Sequence, residues 1–260
     1  MGKYFQVEVK PTIPVAALSS GNIVSGDIIC DWFGFDIPKG SARLIGLTVR
    51  RAGKDGVGLS GSDTPDMELF YAKSINNIPP ASLGTPGAAV STVFGSFGNI
   101  VGKTYIEGIS TSNDIDLRVG NIISVGAIAS GSYAEDQKVE SSNNGLILSG
   151  EPNSGANVGF ERLYVAIIAK ETHNWGPPAM TVNGTMATTS PVLTVADINA
   201  LRALSVSDIL RDEDDNLFGT VKSIDSATQV TLESNLASAS ANDKLVYNTT
   251  PISLVLSFEQ

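Results

Sequence analysis

The sequence predicts an all-β protein, and three observations carry that prediction. Its readable segments alternate apolar and polar residues with period two, as where Gln6 separates Phe5 from Val7. Short stretches rich in Gly, Pro, Asn and Asp lie between these segments, as turns lie between strands. Charged residues make up 17% of the 260 residues, below the roughly 25% typical of globular domains. Much of the polar surface is therefore Ser, Thr and Asn, which suits strands and turns rather than exposed helices.

The first two-thirds of the chain read as the strands of a β-sandwich, a fold that can exceed 200 residues as one unit. Pro11 and Pro14 close the first strand, and residues 36–40 have the chemistry of a turn. Strands are predicted over residues 4–10, 22–35, 41–50, 66–74, 105–109, 115–119, 122–129, 145–148 and 163–170.

Two segments between these strands show no sustained pattern. Residues 53–65 form a glycine-rich loop, and residues 76–102 form a long excursion rich in Pro, Gly, Ala and Ser. One short helix or strand is expected near residues 88–94. Long ordered loops in compact domains are usually functional or contact a partner. Residues 76–102 and the N-terminal arm, residues 1–18, are therefore our candidates for contacts between subunits.

Residues 177–248 have a different character, because several short strands follow one another within some seventy residues. A helix over residues 196–204 is predicted from Ala196, Ala200 and Leu204, which recur every four residues. This density of strands and turns indicates a small, strongly curved barrel of the SH3-like or OB-like kind. Its strands are predicted over residues 180–182, 192–195, 208–211, 217–224, 229–232 and 244–247, with hairpin turns at 212–216 and 225–228.

A last strand is predicted over residues 252–258, with Ile252, Leu254, Leu256 and Phe258 on one face. Such a strand must pair and bury that face. We expect it to pair with residues 163–169, the last strand before the barrel. The small barrel is then inserted into a hairpin of the sandwich. The expected domains are a discontinuous sandwich, residues 1–176 plus 249–260, and an inserted barrel, residues 177–248.

Composition restricts the chemistry available to the chain. The sequence has one histidine, His173, and one cysteine, Cys30. Zinc sites, Cys–His dyads and Ser–His–Asp triads need such groups to converge, so no catalytic residue or cofactor is assigned. His173 is interpreted as structural or incidental, and Cys30, within an apolar run, as a buried structural thiol.

Charge and hydropathy also exclude two classes of partner. The net charge of −10, with scattered Lys and Arg, argues against direct nucleic-acid binding, which needs clustered cations. No apolar stretch approaches the roughly 18 residues needed to cross a bilayer. Residues 1–8 lack the apolar run of a signal peptide. We therefore expect neither a nucleic-acid nor a membrane partner.

Two motifs have both a functional and a structural interpretation. Residues 56–61 fit G-x-G-x-x-G, but a strand follows where a dinucleotide site needs a helix, so a surface loop is favoured. Residues 212–216 are the densest acidic cluster, and Asp212, Asp214 and Asn216 are a weak candidate for a Ca²⁺ site. Leu217 stands where an EF-hand requires glycine, so a solvated hairpin turn is the preferred interpretation.

The chain resembles virion structural proteins of tailed bacteriophages, especially capsid decoration (cement) proteins. Three features carry the resemblance. The N-terminus enters a strand directly. The body is sandwich-like and rich in Gly, Ala, Ser and Thr, with characteristic strands at residues 66–73 and 163–170. Residues 218–232 of the inserted module look like the small barrels that recur in phage structural proteins.

The resemblance implies a non-enzymatic role. In such proteins a jelly-roll-like base docks on the capsid exterior, often as a homotrimer, and reinforces the lattice of the major capsid protein against internal DNA pressure. The expected partners are the major capsid protein or other virion proteins, and the expected location is the capsid exterior.

Two other functions remain open from the sequence. One is a tail adaptor or receptor-binding component whose inserted module binds carbohydrate. The other is a carboxylate-based glycoside hydrolase, since the fold can bring Asp and Glu side chains together. The hydrolase is disfavoured because only Trp32 and Trp175 are available as tryptophan platforms for sugar stacking.

Overall fold

A computed structural model describes residues 2–19, 23–52, 66–91, 97–106, 114–117, 120–126, 146–152, 159–172, 180–196 and 204–260. Within these ranges the protein is nearly all β and its sheets are antiparallel. The strands are β1 Tyr4–Val9, β2 Ile28–Pro38, β3 Ala42–Ala52, β4 Met67–Lys73, β5 Ile100–Ile106, β6 Asp114–Leu117, β7 Gly120–Gly126, β8 Leu146–Leu148, β9 Glu151–Pro152, β10 Phe160–Ala169, β11 Met180–Thr181, β12 Val192–Thr194, β13 Ile209–Asp212, β14 Leu217–Ser226, β15 Gln229–Leu232, β16 Leu245–Asn248 and β17 Ile252–Glu259.

Two sheets face each other across one hydrophobic core. The first has the strand order β1-β17-β3-β7-β6, with β8 also paired to β3, and the second has the order β2-β10-β4-β5, with β9 also paired to β10. Alternate residues of both sheets enter a shared buried cluster, as Leu47 and Leu254 do from the first sheet and Leu69 and Val165 from the second. The predicted sandwich-like, all-β architecture is confirmed.

The third sheet is built only from residues 180–248 and has the order β11-β16-β13-β14-β15-β12. It has its own buried cluster, which includes Phe218 and Val230. Its two outer strands are also linked to each other. The N–H of Asn183 donates to the carbonyl of Thr194 at 2.9 Å, and the N–H of Ala196 donates to the carbonyl of Thr181 at 2.8 Å.

The predicted partner of the C-terminal strand is wrong. β17 lies between β1 and β3 of the first sheet, where Leu254 is opposite both Val9 and Val49. β10, which contains residues 163–169, belongs to the second sheet and is paired with β2 on one side and β4 on the other. Both sides of β10 are therefore occupied. The third sheet is not inserted into a hairpin, because the chain leaves the second sheet at β10 and returns to the first at β17.

Several strand limits also differ from the prediction. β2 continues through Pro38, because Asp36 and Pro38 pair with Arg162 and Phe160 of β10, so the predicted turn over residues 36–40 shrinks to Lys39–Gly40. β5 begins at Ile100 instead of residue 105, and β2 at Ile28 instead of residue 22. The predicted loop at 53–65 and most of the predicted helix at 196–204 lie outside the described residues.

A short helix, α1, was not predicted. It spans Val15–Ser19 and follows Pro14, whose carbonyl accepts the N–H of Ala17 at 3.0 Å. Val15, Ala17 and Leu18 are buried in the main cluster. No helix of the described residues is long and apolar enough to span a bilayer.

Candidate functional site

The acidic hairpin turn between β13 and β14 is organised by a buried carboxylate. Asp212 is 1% exposed. Its Oδ1 accepts the backbone N–H groups of Asp214 at 2.9 Å and Asn216 at 2.8 Å. Its Oδ2 accepts the side-chain amide of Asn216 at 3.0 Å and lies 2.9 Å from Lys244 Nζ. Residues 213–216 are exposed, as expected of a solvated hairpin turn, but Asp212 faces inward and holds the turn together.

A lysine stands among the three candidate metal ligands. Lys244 Nζ bridges Asp212 and Asp214, with 2.8 Å to Asp214 Oδ2. Burial raises the pKa of Asp212, but hydrogen bonds from Asn216, Lys244 and the backbone outweigh it and hold that pKa below its usual range. The bonds to Asp214 and Asp212 raise the pKa of Lys244. Within the described residues no group of three or more His, Cys, Asp or Glu is placed to hold a metal ion. The Ca²⁺ interpretation stays a prediction.

A second polar cluster joins the third sheet to the sandwich. Lys10, just after β1, places its Nζ 2.9 Å from Oδ1 of Asp208, 3.2 Å from Oγ of Ser205 and 2.8 Å from the carbonyl of Val206. Asp208 is 3% exposed. Its Oδ2 also accepts the side-chain amide of Asn248 at 2.7 Å. Lys10, from the sandwich, therefore neutralises the buried carboxylate of Asp208, which belongs to the third-sheet region.

Backbone and apolar contacts reinforce the same junction. The N–H of Ile13 donates to the carbonyl of Thr249 at 2.7 Å, and the N–H of Thr249 donates to the carbonyl of Ile209 at 2.9 Å. Tyr247 lies on β16 of the third sheet but is buried in the main cluster of the sandwich. The third sheet is thus fixed to the sandwich by ionic, backbone and apolar contacts. The sequence does not predict this junction, because Lys10 and Asp208 belong to no motif.

The long excursion covers the outer face of the second sheet. Leu83 is 4% exposed and packs in a small cluster that includes Ile168 of β10. The N–H of Leu83 donates to Oδ1 of Asp31 at 3.0 Å, and Nε1 of Trp32 donates to the carbonyl of Ala81 at 2.9 Å. Ile78, at one end of this segment, is 67% exposed. Contacts with the second sheet hold the inner side of this segment in place. On its outer side the apolar side chain of Ile78 is exposed.

The N-terminal arm is likewise built into the fold. β1 is part of the first sheet, and Ile13 and Leu18 are buried in the main cluster. Contacts between subunits through residues 1–18 or 76–102 stay a prediction.

The rare side chains of the sequence contribute no assembled reactive group within the described residues. Cys30 is buried, as predicted, and this burial, with a smaller effect of Asp31, raises the pKa of its thiol to about 12. A thiol with so high a pKa is a poor nucleophile at neutral pH. His173, Trp175 and the motif at 56–61 lie outside the described residues.

No protein-family model matches this chain, and no curated protein matches it.

Proposed function

We propose that this chain is a non-enzymatic virion structural protein, a capsid decoration protein of a tailed bacteriophage that binds the capsid exterior and stabilises the lattice of the major capsid protein. The proposal combines the resemblance of the sequence with the order of the strands, which is the observation that carries it.

The strand order supports a jelly roll. In that fold, eight strands wrap as two Greek keys into two facing sheets, and it recurs in viral capsid proteins. Here the chain crosses between the sheets from β1 to β2, from β2 to β3 and from β3 to β4, and again from β10 to β17. The resulting sheets contain β1-β17-β3-β7 and β2-β10-β4-β5. Repeated crossing of this kind is what a jelly-roll-like sandwich requires.

The third sheet is proposed to be a small barrel of the SH3-like or OB-like kind. Six strands follow one another in it, five of them two to four residues long, and an isolated bridge between Val182 and Val195 joins its two ends. Such closure removes the exposed edges of a small sheet.

The junction suits a protein that reinforces a shell. A flexibly tethered module would not transmit force to the sandwich, whereas Lys10, Asp208 and Tyr247 hold the two parts together. Binding to a lattice through several weak contacts at once gains avidity through effective concentration. A homotrimer, as the resemblance implies, would supply three such contacts per docking unit.

Cosedimentation with capsids that lack the protein tests the proposal. The full chain is mixed with these capsids over a range of salt concentrations, and an unrelated acidic β protein serves as control. We expect saturable binding of the full chain alone. Recovery of only free protein under every condition would reject the proposal. Mass spectrometry of purified virions gives the copy number: hundreds of copies indicate the capsid, whereas a dozen or fewer would assign the protein to the tail.

A further inference from the structure

One edge of the first sheet has no partner strand among the described residues. β1 is the terminal strand of that sheet, paired only with β17. Lys3 and Gln260 exchange both backbone hydrogen bonds. Because such pairs alternate along an antiparallel ladder, the N–H and C=O groups of Tyr4, Gln6 and Glu8 point away from β17.

The side chains of β1 leave this edge open to pairing. β1 contains no proline and its ladder with β17 has no register shift, so it lacks two of the devices that commonly blunt an edge strand, and Glu8 is its only charged residue. Phe5 and Val7, on the inner face, are only partly buried against the main cluster, and Phe5 stacks on Phe258 with ring centroids 5.2 Å apart. Tyr4, on the outer face, is 69% exposed. An added strand would cover backbone and apolar surface together.

We propose that β1 pairs with β1 of a second copy of this chain, antiparallel about a two-fold axis that passes beside Gln6. In this register Gln6 lies opposite Gln6, and Tyr4 of each copy lies opposite Glu8 of the other. All three outward-facing residues of each strand then form hydrogen-bonded pairs, which exchange about six backbone hydrogen bonds. On the inner face Phe5 of each copy lies opposite Val7 of the other, which extends the apolar face across both copies.

The length and charge of the strand favour this register over the alternatives. The next register toward the C-terminal end places Gln6 opposite Glu8 and Tyr4 opposite Lys10, which lies beyond the end of β1. One further step places Glu8 opposite Glu8, and like charges directly opposite each other destabilise a sheet. Moving it toward the N-terminus leaves Glu8 without an opposite residue in the strand. With the two-fold axis beside Gln6, the interface includes the whole open edge and is self-complementary, as an isologous interface must be.

This pairing goes beyond the proposed function, because it needs no capsid. It links two protomers through a two-fold contact, whether or not those protomers also belong to a larger ring.

Sedimentation equilibrium of the full chain tests the pairing. We expect the wild type to associate in pairs, as a dimer of protomers or as a dimer of the proposed trimers, and Gln6→Pro to raise the dissociation constant of that pairing at least tenfold. Proline removes the central outward N–H but is tolerated on an edge strand where that N–H faces solvent. Gln6→Ala keeps the N–H and is the matched control, which we expect to dimerise. A wild type that stays monomeric at every concentration, or a dimer undiminished in Gln6→Pro, would overturn the proposal.

Disulfide trapping tests the register even if the proline variant fails to fold. Gln6→Cys brings two thiols together at the axis, at a separation between opposite residues that a disulfide can bridge. We expect a covalent dimer under mild oxidation. The Glu8→Cys variant should form far less covalent dimer, because position 8 of one copy lies opposite Tyr4 of the other. Trapping through Glu8→Cys and not through Gln6→Cys would reject the register. A monomeric wild type that still binds capsids would reject the pairing and leave the proposed function standing.

Discussion

Lys10 and Asp208 are 198 positions apart in the sequence and form an ion pair with 2.9 Å between Nζ and Oδ1. The lysine belongs to the segment that follows β1, and the aspartate precedes β13 of the third sheet. Their contact is the polar centre of the junction between the sandwich and the third sheet.

Replacing Lys10 by methionine should destabilise the protein by about 2–3 kcal/mol, because the buried carboxylate of Asp208 loses its cation. Methionine retains the unbranched, flexible apolar stem of the side chain, so most of the effect reports the charge. Urea unfolding measures the change in the free energy of unfolding. Lys3→Met, at an exposed position, should stay within about 0.5 kcal/mol of the wild type. Equal losses in the two variants would contradict a special role for Lys10.

The carboxylate of Asp212 should make stability depend on acid pH. Its pKa in the folded protein is lowered, below the value of about 4 in an unfolded chain. The stabilisation is therefore fully present above about pH 4 and is lost as the pH falls through the lower, folded-state pKa. Asp212→Asn should be less stable at pH 7 and should lose less stability than the wild type below pH 4.

Thermal unfolding at intervals from pH 7 to pH 2 measures this difference. Glu233→Gln, at an exposed position, is the control and should follow the wild type. If the wild type and Asp212→Asn lost stability equally below pH 4, other carboxylates would be responsible for the decrease in stability at acid pH.

Gly150→Ala should destabilise the sandwich by about 1–3 kcal/mol. A Cβ at this position would lie 2.5 Å from the backbone carbonyl oxygen of Arg162, which cannot move without disturbing β10. Gly159→Ala is the matched control, because a Cβ there meets no atom within 4 Å. We expect the control to stay within about 0.5 kcal/mol in chemical unfolding. A neutral Gly150→Ala would show that the segment between β8 and β9 adjusts freely.

The thiol of Cys30 should not react in the folded protein. Its pKa of about 12 leaves a thiolate fraction at pH 8 on the order of a thousandfold below that of an exposed cysteine. An aromatic disulfide reagent should release one equivalent of chromophore only after denaturant is added. Glu233→Cys supplies the exposed positive control. Rapid stoichiometric reaction of the native wild type would contradict the burial of this side chain.

Period-two patterning was enough to predict the β class, most strand positions and the faces they bury. Ile252, Leu254, Leu256 and Phe258 are all buried as the alternation requires. The pattern works because a strand places successive side chains on opposite faces, whichever strand lies beside it. It failed at residues 36–40, where Pro38 looked like a turn residue but lies within β2, next to Phe160 of β10.

The identity of neighbours came only from the tertiary structure. The alternation in a strand predicts which face is buried but does not predict which strands lie beside it. The sequence therefore places β17 at the core, whereas only the structure shows that it lies between β1 and β3. The same holds for the junction. From the sequence, a charged residue such as Lys10 is expected at the surface. Only the folded structure shows that Lys10 neutralises the buried carboxylate of Asp208. Local chemistry thus determined the elements, and long-range packing decided their arrangement.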